Sequence, residues 1–328
     1  MRDRFLAVEW RGKMKEISQC NLCNNSKFTL LFQTSDRMHN VPGTYKVERC
    51  DSCGLIFINP QPDAAELLNH YPKNEYYPHR FSCFKNWLYA ILYTEQSLVF
   101  RKLLSPLKLI MRSVKITPGG NYLDVGCGSG AFMRVVESAG MRVFGVEPVK
   151  IDGNHLTQNS LNIFHGFLEE AKYPDDFFDL ITLNHVLEHI GNPMTTLHEV
   201  RRILKPRGTL IIGVPQSESL AYRFFGKNWI QLDVPRHLYT FSSSTIKGYA
   251  EANRFHIDKI RFNSKPLQIY GSLYYLYGEI FKKKTLFGES RLLKNQFVKV
   301  MVNLFTFPLA LILNQFELGD ELEIILTK

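Results

Sequence analysis

The sequence predicts an α/β fold built on an open sheet, with a ligand site where the strands end. The first observation is a strand at 121–125 that runs into three glycines at alternate positions. The second is the alternation of apolar runs with amphipathic stretches, which continues to residue 262. The third is the apolar segment 319–328, which supplies one more strand at the end of the chain.

The glycine loop follows Asp124 and contains Gly126, Gly128 and Gly130. Because glycine has no Cβ, the turn can be tight and a ligand can approach the backbone closely. The helix expected to begin near Ser129 points its free N–H groups at the same place. The spacing also fits a dinucleotide-binding pattern ending at Ala131, or a tight turn without a ligand, so the loop alone leaves the ligand open.

A second predicted strand, 142–147, ends in Glu147 and is followed by Pro148. A carboxylate at this place can accept hydrogen bonds from both hydroxyls of a ribose. The same two residues also suit the start of a helix, where acidic residues and proline are favoured. We favour the ribose interpretation because Glu147 follows the glycine loop in the chain.

The strand predicted at 177–183 is nearly all apolar, as expected of a strand buried on both faces. The other predicted elements are strands 161–165, 209–215 and 256–262, and helices 193–204 and 243–253.

In this order the motifs resemble those of the class I S-adenosylmethionine (SAM)-dependent methyltransferases. The segments that carry the resemblance are Asp124–Gly130, Glu147, Asp176–Ile181 with Val186–Ile190, and Leu204–Leu210. The resemblance covers roughly 116–262 and the last strand. It implies a seven-stranded, Rossmann-like methyltransferase sheet whose antiparallel last strand lies between strands five and six. A dinucleotide-binding enzyme becomes a distant second interpretation.

The resemblance implies that Asp124 faces the cationic amino-acid end of SAM and that Glu147 holds its ribose. Phe167 and Leu168 are expected to enclose the adenine, where the family often places a polar residue. The cofactor-binding residues that follow from the resemblance are Asp124, Gly126, Cys127, Gly128, Gly130, Glu147, Pro148, Phe167, Leu168, Asn184 and His185.

The catalytic base is sought among side chains that can take a proton near neutral pH. The candidates are His185, His189, His237, Asp233 and Tyr239, and of these we predict that the three histidines are catalytic. The alternative for His189 is that it and Glu188 only cap and orient the turn after strand four.

The segment 229–242 lies between strand five and the next helix, on the ligand side of such a sheet. We predict that it binds the acceptor through Asp233, Arg236, His237 and Tyr239. Arg236 suits a phosphate or a carboxylate. The alternative is a structural loop whose polar residues pair with one another.

Four of the six cysteines form two Cys-x-x-Cys pairs, Cys20 with Cys23 and Cys50 with Cys53. Four thiolates complete a tetrahedral zinc site with no open position, so the predicted zinc is structural. A hairpin of 28–32 with 45–47 fills the gap between the pairs. Disulfides are the alternative, but they need an oxidising compartment, and residues 1–19 show no secretory segment. We therefore expect a cytoplasmic protein.

A zinc ribbon in a chain of net charge +9 raises an RNA methyltransferase as the alternative function. The charges between the cysteines are mixed, however, and form no basic stripe. A ribbon of this kind also resembles methyltransferases that act on sugars and other small molecules of cell-envelope or natural-product pathways. We therefore predict methyl transfer to a small-molecule acceptor, such as a sugar or envelope precursor, giving S-adenosylhomocysteine.

The predicted organisation has three parts. A zinc-ribbon-like module spans 19–62, a helical linker spans 63–115, and a methyltransferase domain spans 116–328 with a helical insertion at about 265–317. The apolar run 297–313 is at the lower limit for crossing a bilayer, and polar residues and proline interrupt it. No transmembrane helix is predicted. The insertions suit a contact with the inner face of the membrane, a buried cap or a homodimer contact equally.

Overall fold

The computed structural model describes residues 14–71, 116–149, 161–264, 266–281 and 296–328. Its strands are β1 (Met14–Lys15), β2 (Phe28–Thr34), β3 (Tyr45–Cys50), β4 (Ile56–Asn59), β5 (Gln61–Pro62), β6 (Asn121–Val125), β7 (Arg142–Val146), β8 (Asn162–Phe164), β9 (Phe178–Asn184), β10 (Leu204–Pro215), β11 (Tyr239–Thr240), β12 (His256–Asn263) and β13 (Glu321–Thr327). Its helices are α1 (Ala64–Asn69), α2 (Ala131–Ser138), α3 (Pro193–Ile203), α4 (Leu220–Phe225), α5 (Ser243–Ala252), α6 (Pro266–Ile280) and α7 (Gln296–Gln315). Short 3₁₀ turns lie at Leu168–Glu170, Leu187–His189, Gly226–Asn228 and Ile230–Leu232.

The large sheet has seven strands in the order β12-β13-β10-β9-β6-β7-β8. The five strands from β10 to β8 are parallel, and β13 runs antiparallel to both of its neighbours. The predicted α/β fold, including the antiparallel last strand between strands five and six, is confirmed. The chain leaves β6 toward β7 and later returns to its other side with β9. Ligands bind at such a reversal of strand order.

Each central strand divides its side chains between two buried clusters, because successive residues of a strand point to opposite faces. On β6, Tyr122 packs into the cluster that contains Met133 of α2, and Leu123 packs into the cluster on the opposite face. Leu180 and Ile181 of β9 divide in the same way. Both faces of the sheet are therefore covered, as the apolar run at 177–183 predicts.

Strand β10 begins at Leu204, earlier than the residue 209 predicted from the sequence. Leu204 already pairs with Phe178 of β9, and the register then shifts before Thr209 pairs with Leu180. The segment 205–208 is therefore an irregularity within the strand, and the sequence alone made it look like a separate turn.

The four-stranded N-terminal sheet has the order β11-β4-β3-β2. The predicted hairpin forms its outer part, as β2 and β3 pair antiparallel. Its fourth strand, β11, comes from the segment 229–242, with Tyr239 opposite Phe57 and Thr240 opposite Ile56. The acceptor segment predicted from the sequence is thus also part of the ribbon sheet.

A buried arginine joins the two sheets. Both terminal nitrogens of Arg236 donate to Asp36, at 3.0 Å and 2.8 Å, and its Nε donates to Asp233 at 3.0 Å. The side chains of Arg236 and Asp36 are completely inaccessible to solvent. Asp36 also accepts from the backbone N–H groups of Met38 and His39, so it fixes the loop after β2.

Helices α6 and α7 occupy part of the predicted insertion 265–317 and pack against each other. They expose several large apolar side chains: Leu273, Tyr277, Ile280, Leu309, Leu311 and Ile312. Among the described residues, no helix combines the length and the apolar composition that crossing a bilayer requires. Most of the predicted linker 63–115 lies outside the described residues, apart from α1 and the two residues after it.

We expect Asp36→Asn to lower the free energy of unfolding by about 3–5 kcal/mol, because it leaves the buried Arg236 charge without its bidentate partner. The measurement is chemical denaturation followed by circular dichroism. The matched control is Asp175→Asn, which breaks an ion pair with Arg202 in which Asp175 is 75% exposed. Surface pairs contribute about 0–1 kcal/mol. Equal losses in the two variants would contradict a special role for the buried pair.

Candidate functional site

The glycine loop leaves β6 with left-handed backbone at Gly126 (φ 71°), Gly128 (φ 52°) and Gly130 (φ 74°). A Cβ on Gly126 would lie 2.4 Å from Val186 Cγ2, and a Cβ on Gly130 would lie 2.4 Å from Leu161 Cδ1. A Cβ on Gly128 would meet no atom within 4 Å. Two of the glycines are thus required by packing, and the third presents bare backbone that no atom of the described residues covers, as a ligand cradle requires.

Glu147 lies across from this bare backbone at the end of β7. Its Oε2 accepts from the N–H of Gly128 at 2.9 Å and its Oε1 from the N–H of Val149 at 3.1 Å. Burial raises the pKa of Glu147, although these two backbone hydrogen bonds counteract it. The carboxylate is therefore held rigidly beside the loop, where the sequence places the ribose.

Asp124, at the end of β6, is 6% exposed and accepts a hydrogen bond from Thr182 Oγ1 at 2.8 Å. Thr182 Oγ1 also lies 2.7 Å from the hydroxyl of Tyr122. Burial raises the pKa of Asp124 to about 7. A cation placed against this carboxyl would favour its ionised form and would itself be stabilised.

The two residues predicted to enclose the adenine, Phe167 and Leu168, differ in burial. Phe167 is 39% exposed, whereas Leu168 is buried. Asn184, the last residue of β9, is exposed, and its Oδ1 lies 2.7 Å from where a Cβ on Gly213 would be. Cys127 is buried, and its Sγ lies close to Gly145, where a Cβ would meet it at 2.7 Å. Pro148 directly follows the fixed Glu147 carboxylate.

The three histidines predicted to be catalytic converge on Glu188. His185 Nδ1 lies 3.2 Å from Glu188 Oε1, and His237 Nε2 lies 4.0 Å from the same oxygen. The rings of His189 and His237 are 4.7 Å apart between centroids. His185 has a left-handed backbone (φ 55°), which is uncommon for a residue other than glycine, and its Nε2 lies 3.2 Å from Glu321 Oε1.

Backbone carbonyls fix the orientation of two of these rings. His189 Nδ1 lies 2.9 Å from the carbonyl oxygen of Arg236, and His237 Nδ1 lies 2.7 Å from that of Gln231. Since a carbonyl oxygen only accepts, each Nδ1 donates and carries the proton in the neutral ring, which leaves Nε2 unprotonated. The hydroxyl of Tyr71 also lies 2.9 Å from His189 Nδ1.

The ionisation of this cluster follows from burial and from the neighbouring charges. Desolvation, followed by the charge of His237, lowers the pKa of His189 to about 4. Burial alone would raise the pKa of Glu188, but the hydrogen bond from His185 and the positive charges of the histidines outweigh it, so that pKa is lowered. An anionic Glu188 beside a neutral His189 is the arrangement that we infer.

The residues predicted to bind the acceptor have different environments. Arg236 is fully buried in its pairs with Asp36 and Asp233, and its charge lowers the pKa of Asp233 to about 2 against the effect of burial. Tyr239 is also buried and donates to the carbonyl of Gly191 at 3.0 Å. Within the loop only Asp233 and Arg236 pair with each other, whereas Arg236 also binds Asp36 and Tyr239 binds Gly191, both outside the loop. Of the four side chains, that of His237 lies in the histidine cluster.

The four predicted metal-binding cysteines come together at the base of the N-terminal sheet. Their Sγ atoms all lie within 4.8 Å of one another, and the pairs Cys20–Cys53 and Cys23–Cys50 are 3.5 Å apart. A disulfide would bring two sulfurs to about 2.05 Å. Zn–S bonds of about 2.3 Å place tetrahedral sulfurs about 3.8 Å apart. The cluster is therefore consistent with a zinc-binding module.

The backbone around the cysteines forms two similar turns. The N–H of Asn24 donates to the carbonyl of Cys20, and the N–H of Gly54 donates to the carbonyl of Cys50. Gly54 has a left-handed backbone (φ 77°). The side chain of Asn25 also lies 3.7 Å from Cys50 Sγ, where its N–H can stabilise a thiolate. These two turns bring the four sulfurs together.

Residues 97–260, half of the chain, match a family profile described as a methyltransferase domain. The chain is 28% identical over 154 residues to a ubiquinone biosynthesis O-methyltransferase of Actinobacillus pleuropneumoniae, covering 42% of this chain and 66% of that protein. It is 29% identical over 126 residues to a malonyl-[acyl-carrier protein] O-methyltransferase of Serratia marcescens, covering 38% and 49%. The matched region thus spans about half to two thirds of these relatives.

Among solved structures, a SAM-dependent methyltransferase from Archaeoglobus fulgidus matches 75% of this chain and 100% of its own, with a TM-score of 0.44 and 18% identity. A SAM-dependent methyltransferase from Mesorhizobium loti matches 68% of this chain and 98% of its own, with a TM-score of 0.44 and 13% identity.

Sequence reasoning assigned Glu188 no more than a capping role and did not single out Asp36. The signal for Glu188 was its place between His185 and His189, three residues from one and adjacent to the other, in a turn that follows a buried strand. Asp36 gave no signal, because its partner Arg236 lies far away in the sequence.

We expect Cys23→Ser to lose the zinc that the native chain retains, because three thiolates and a hydroxyl bind this ion far more weakly than four thiolates. Metal content per chain is measured by plasma mass spectrometry after gel filtration. The control is Cys127→Ser, at a buried cysteine of the glycine loop outside the cluster, which should keep its zinc. Full retention of zinc in Cys23→Ser would contradict the assignment of the cluster.

Proposed function

Because the chain belongs to the methyltransferase-domain family, we propose that it transfers the methyl group of SAM to a small-molecule acceptor. The observation that carries the proposal is the backbone of Gly128, which no atom of the described residues covers and which lies beside the fixed carboxylate of Glu147. Asp124 precedes this loop on β6, with its carboxylate held by Thr182. Bound SAM would supply a sulfonium methyl group, whose carbon a nucleophile attacks in line while the carbon–sulfur bond breaks and the sulfur keeps the electron pair. S-adenosylhomocysteine is the other product.

In this proposal the two carboxylates hold opposite ends of SAM. Glu147 accepts from the ribose hydroxyls, exchanging its bond to Gly128 for bonds to the ligand. Asp124 pairs with the amino group, and the exposed ring of Phe167 covers the adenine. Such positioning contributes a large part of catalysis by bringing donor and acceptor into line.

His237 is the candidate base with the most suitable geometry. Its Nδ1 donates to Gln231, so its Nε2 can accept a proton from the acceptor, and its side chain is 10% exposed. His189 and His185 line the same turn and position the acceptor or steer the proton. The buried hydrogen bonds of Asp233, Arg236 and Tyr239 hold the segment 229–242 that carries His237.

A small molecule is favoured as the acceptor because the first relative quoted above is named for the biosynthesis of ubiquinone. Both quoted names specify O-methylation, so an oxygen is the acceptor atom that we propose. The sugar or envelope precursor suggested by the ribbon is one member of this class.

An RNA acceptor has less support. Arg37 of the ribbon donates to the carbonyl of Tyr275 and lies over the Tyr275 ring, 4.4 Å from its centroid. Burial lowers its pKa. Together with the buried Arg236, this removes two of the cations that a basic track along the ribbon would use.

We expect Asp124→Asn and Glu147→Gln each to weaken SAM binding by about 10- to 100-fold, since a hydrogen bond to a charged group contributes about 1.5–3 kcal/mol. The measurement is isothermal titration calorimetry with SAM. The control is Glu137→Gln, on the exposed side of α2.

Native affinity should also fall as the pH decreases below about 7, where Asp124 takes up a proton, and Asp124→Asn should lose that dependence. Unchanged affinity in both site variants would contradict the proposed SAM site.

The contact with a membrane or a second copy is assigned to the exposed apolar side chains of α6 and α7. We expect the double variant Leu273→Ser with Ile312→Ser to reduce cosedimentation with vesicles of anionic phospholipid, since it removes apolar area that would enter the interface. The control replaces exposed Leu30 of β2 by Ser. Loss of a dimer in gel filtration, with no vesicle binding by the native chain, would favour the homodimer and contradict the membrane contact.

A further inference from the structure

The turn after β9 carries a second group of potential metal ligands, separate from the four cysteines. One ligand atom each from Glu188, His189 and His237 lies within 4.8 Å of the others. Two elements supply them, since Glu188 and His189 belong to the turn Leu187–His189 and His237 precedes β11. A direct backbone bond joins these elements, as the N–H of Leu238 donates to the carbonyl of Glu188 at 2.7 Å.

An unsatisfied carboxylate oxygen is the second, independent observation. The Glu188 side chain has no exposure to solvent, and its Oε2 has no hydrogen-bond partner within the described parts of the chain. Its Oε1 is oriented by His185 Nδ1. Leaving a buried carboxylate oxygen without a partner is costly, so a further electropositive group is expected beside it.

The histidines present lone pairs to this carboxylate. Because the Nδ1 atoms of His189 and His237 donate to the carbonyls of Arg236 and Gln231, both Nε2 atoms are acceptors. Histidines that bind metals show this pattern, in which the far ring nitrogen donates to a carbonyl or a carboxylate.

The distances fit one shared ion better than a hydrogen bond. His237 Nε2 and Glu188 Oε1 are 4.0 Å apart, which is too far for a hydrogen bond. Two ligands of one ion, with bonds of about 2.0–2.2 Å, lie between about 3 and 4.4 Å apart. The observed group comes within these limits with side-chain shifts of a few tenths of an ångström.

We propose that Glu188, His189 and His237 bind a divalent first-row transition-metal cation beside the SAM site. Two imidazoles and one carboxylate suit Mn²⁺, Fe²⁺ or Zn²⁺. Three protein ligands leave coordination positions open, unlike the closed set of four cysteines. This inference rests on the proposed methyl transfer, in which oxygen atoms of the acceptor would occupy these positions, and it favours acceptors with two adjacent oxygen donors. With the cation bound, His237 Nε2 would be a ligand and not the base, and the cation would assist loss of the proton by lowering the pKa of the bound acceptor hydroxyl.

The site adjoins the glycine loop directly. Val186, two residues before Glu188, has its Cγ2 2.4 Å from where a Cβ on Gly126 would be. The turn that carries Glu188 and His189 is therefore packed against the glycine loop.

The test uses Mn²⁺ as the probe, because it favours oxygen and imidazole ligands and does not compete for four thiolates. Electron paramagnetic resonance measures free Mn²⁺ as the full-length chain is added. We expect saturable binding to the native chain, with echo modulation from imidazole nitrogen. Affinity should fall in Glu188→Gln and His237→Gln by more than the about 10- to 100-fold that outer partners of a metal site contribute.

The matched control is His198→Gln, which makes the same replacement at an exposed position of α3 and should bind Mn²⁺ like the native chain. Circular dichroism and SAM titration show whether each variant is folded. Asp124→Asn should lose SAM affinity and keep Mn²⁺, so failure of the SAM site and failure of the metal site are separable. Absence of Mn²⁺ binding, absence of nitrogen modulation, or equal affinity in folded Glu188→Gln and His237→Gln would each overturn the proposal.

Discussion

The buried guanidinium of Arg236 is the interaction on which the arrangement of the site depends. It joins Asp36 of the ribbon to Asp233 of the loop that leads to β11, and all three groups are largely or completely removed from water. The charges are costly to bury, but their mutual hydrogen bonds satisfy them. These ion pairs therefore add little to the net free energy of unfolding. Their main effect is to fix the position of the ribbon relative to the loop that leads to β11.

This constraint reaches the histidines through the backbone of the same residue. The carbonyl of Arg236 accepts from His189 Nδ1, so the side chain that anchors the ribbon also fixes the peptide that orients the ring. Two residues later, the N–H of Leu238 holds the carbonyl of Glu188. The ribbon therefore acts on the histidine cluster by keeping the loop 233–238 against the turn after β9.

The large sheet was predictable because its signals are local. The apolar run at 177–183, the glycines at 126–130 and the final strand each follow from a few adjacent residues, and the structure confirms those elements. The predicted start of β10 was wrong. The residues Lys-Pro-Arg-Gly at 205–208 have the composition of a turn, but Leu204 before them already pairs with Phe178 of β9. A pairing between distant segments leaves no trace in local composition.

The same reason separates what was predictable in the site from what was not. His185, His189 and His237 were selected by their chemistry and by their places after strands. Their convergence on Glu188 depends on the long-range packing that brings His237, in the segment 229–242, against the turn after β9. The guanidinium of Arg236 is chemically suited to bind an anionic ligand. Nothing in the neighbouring sequence reveals that it pairs instead with Asp36, 200 residues away.

The contact between Gly126 and Val186 connects the two halves of the site in a way that limits its motion. Val186 Cγ2 lies so close to where a Cβ of residue 126 would be that the glycine loop and the turn after β9 pack directly against each other. Any shift of the loop on binding SAM is therefore passed to the turn that carries Glu188 and His189. A ligand that orders the loop would then bring the three proposed metal ligands toward one geometry, and a cation bound between them would in turn stabilise the loop that holds SAM. Such coupling must be reciprocal, since it is a property of the equilibrium between the two arrangements.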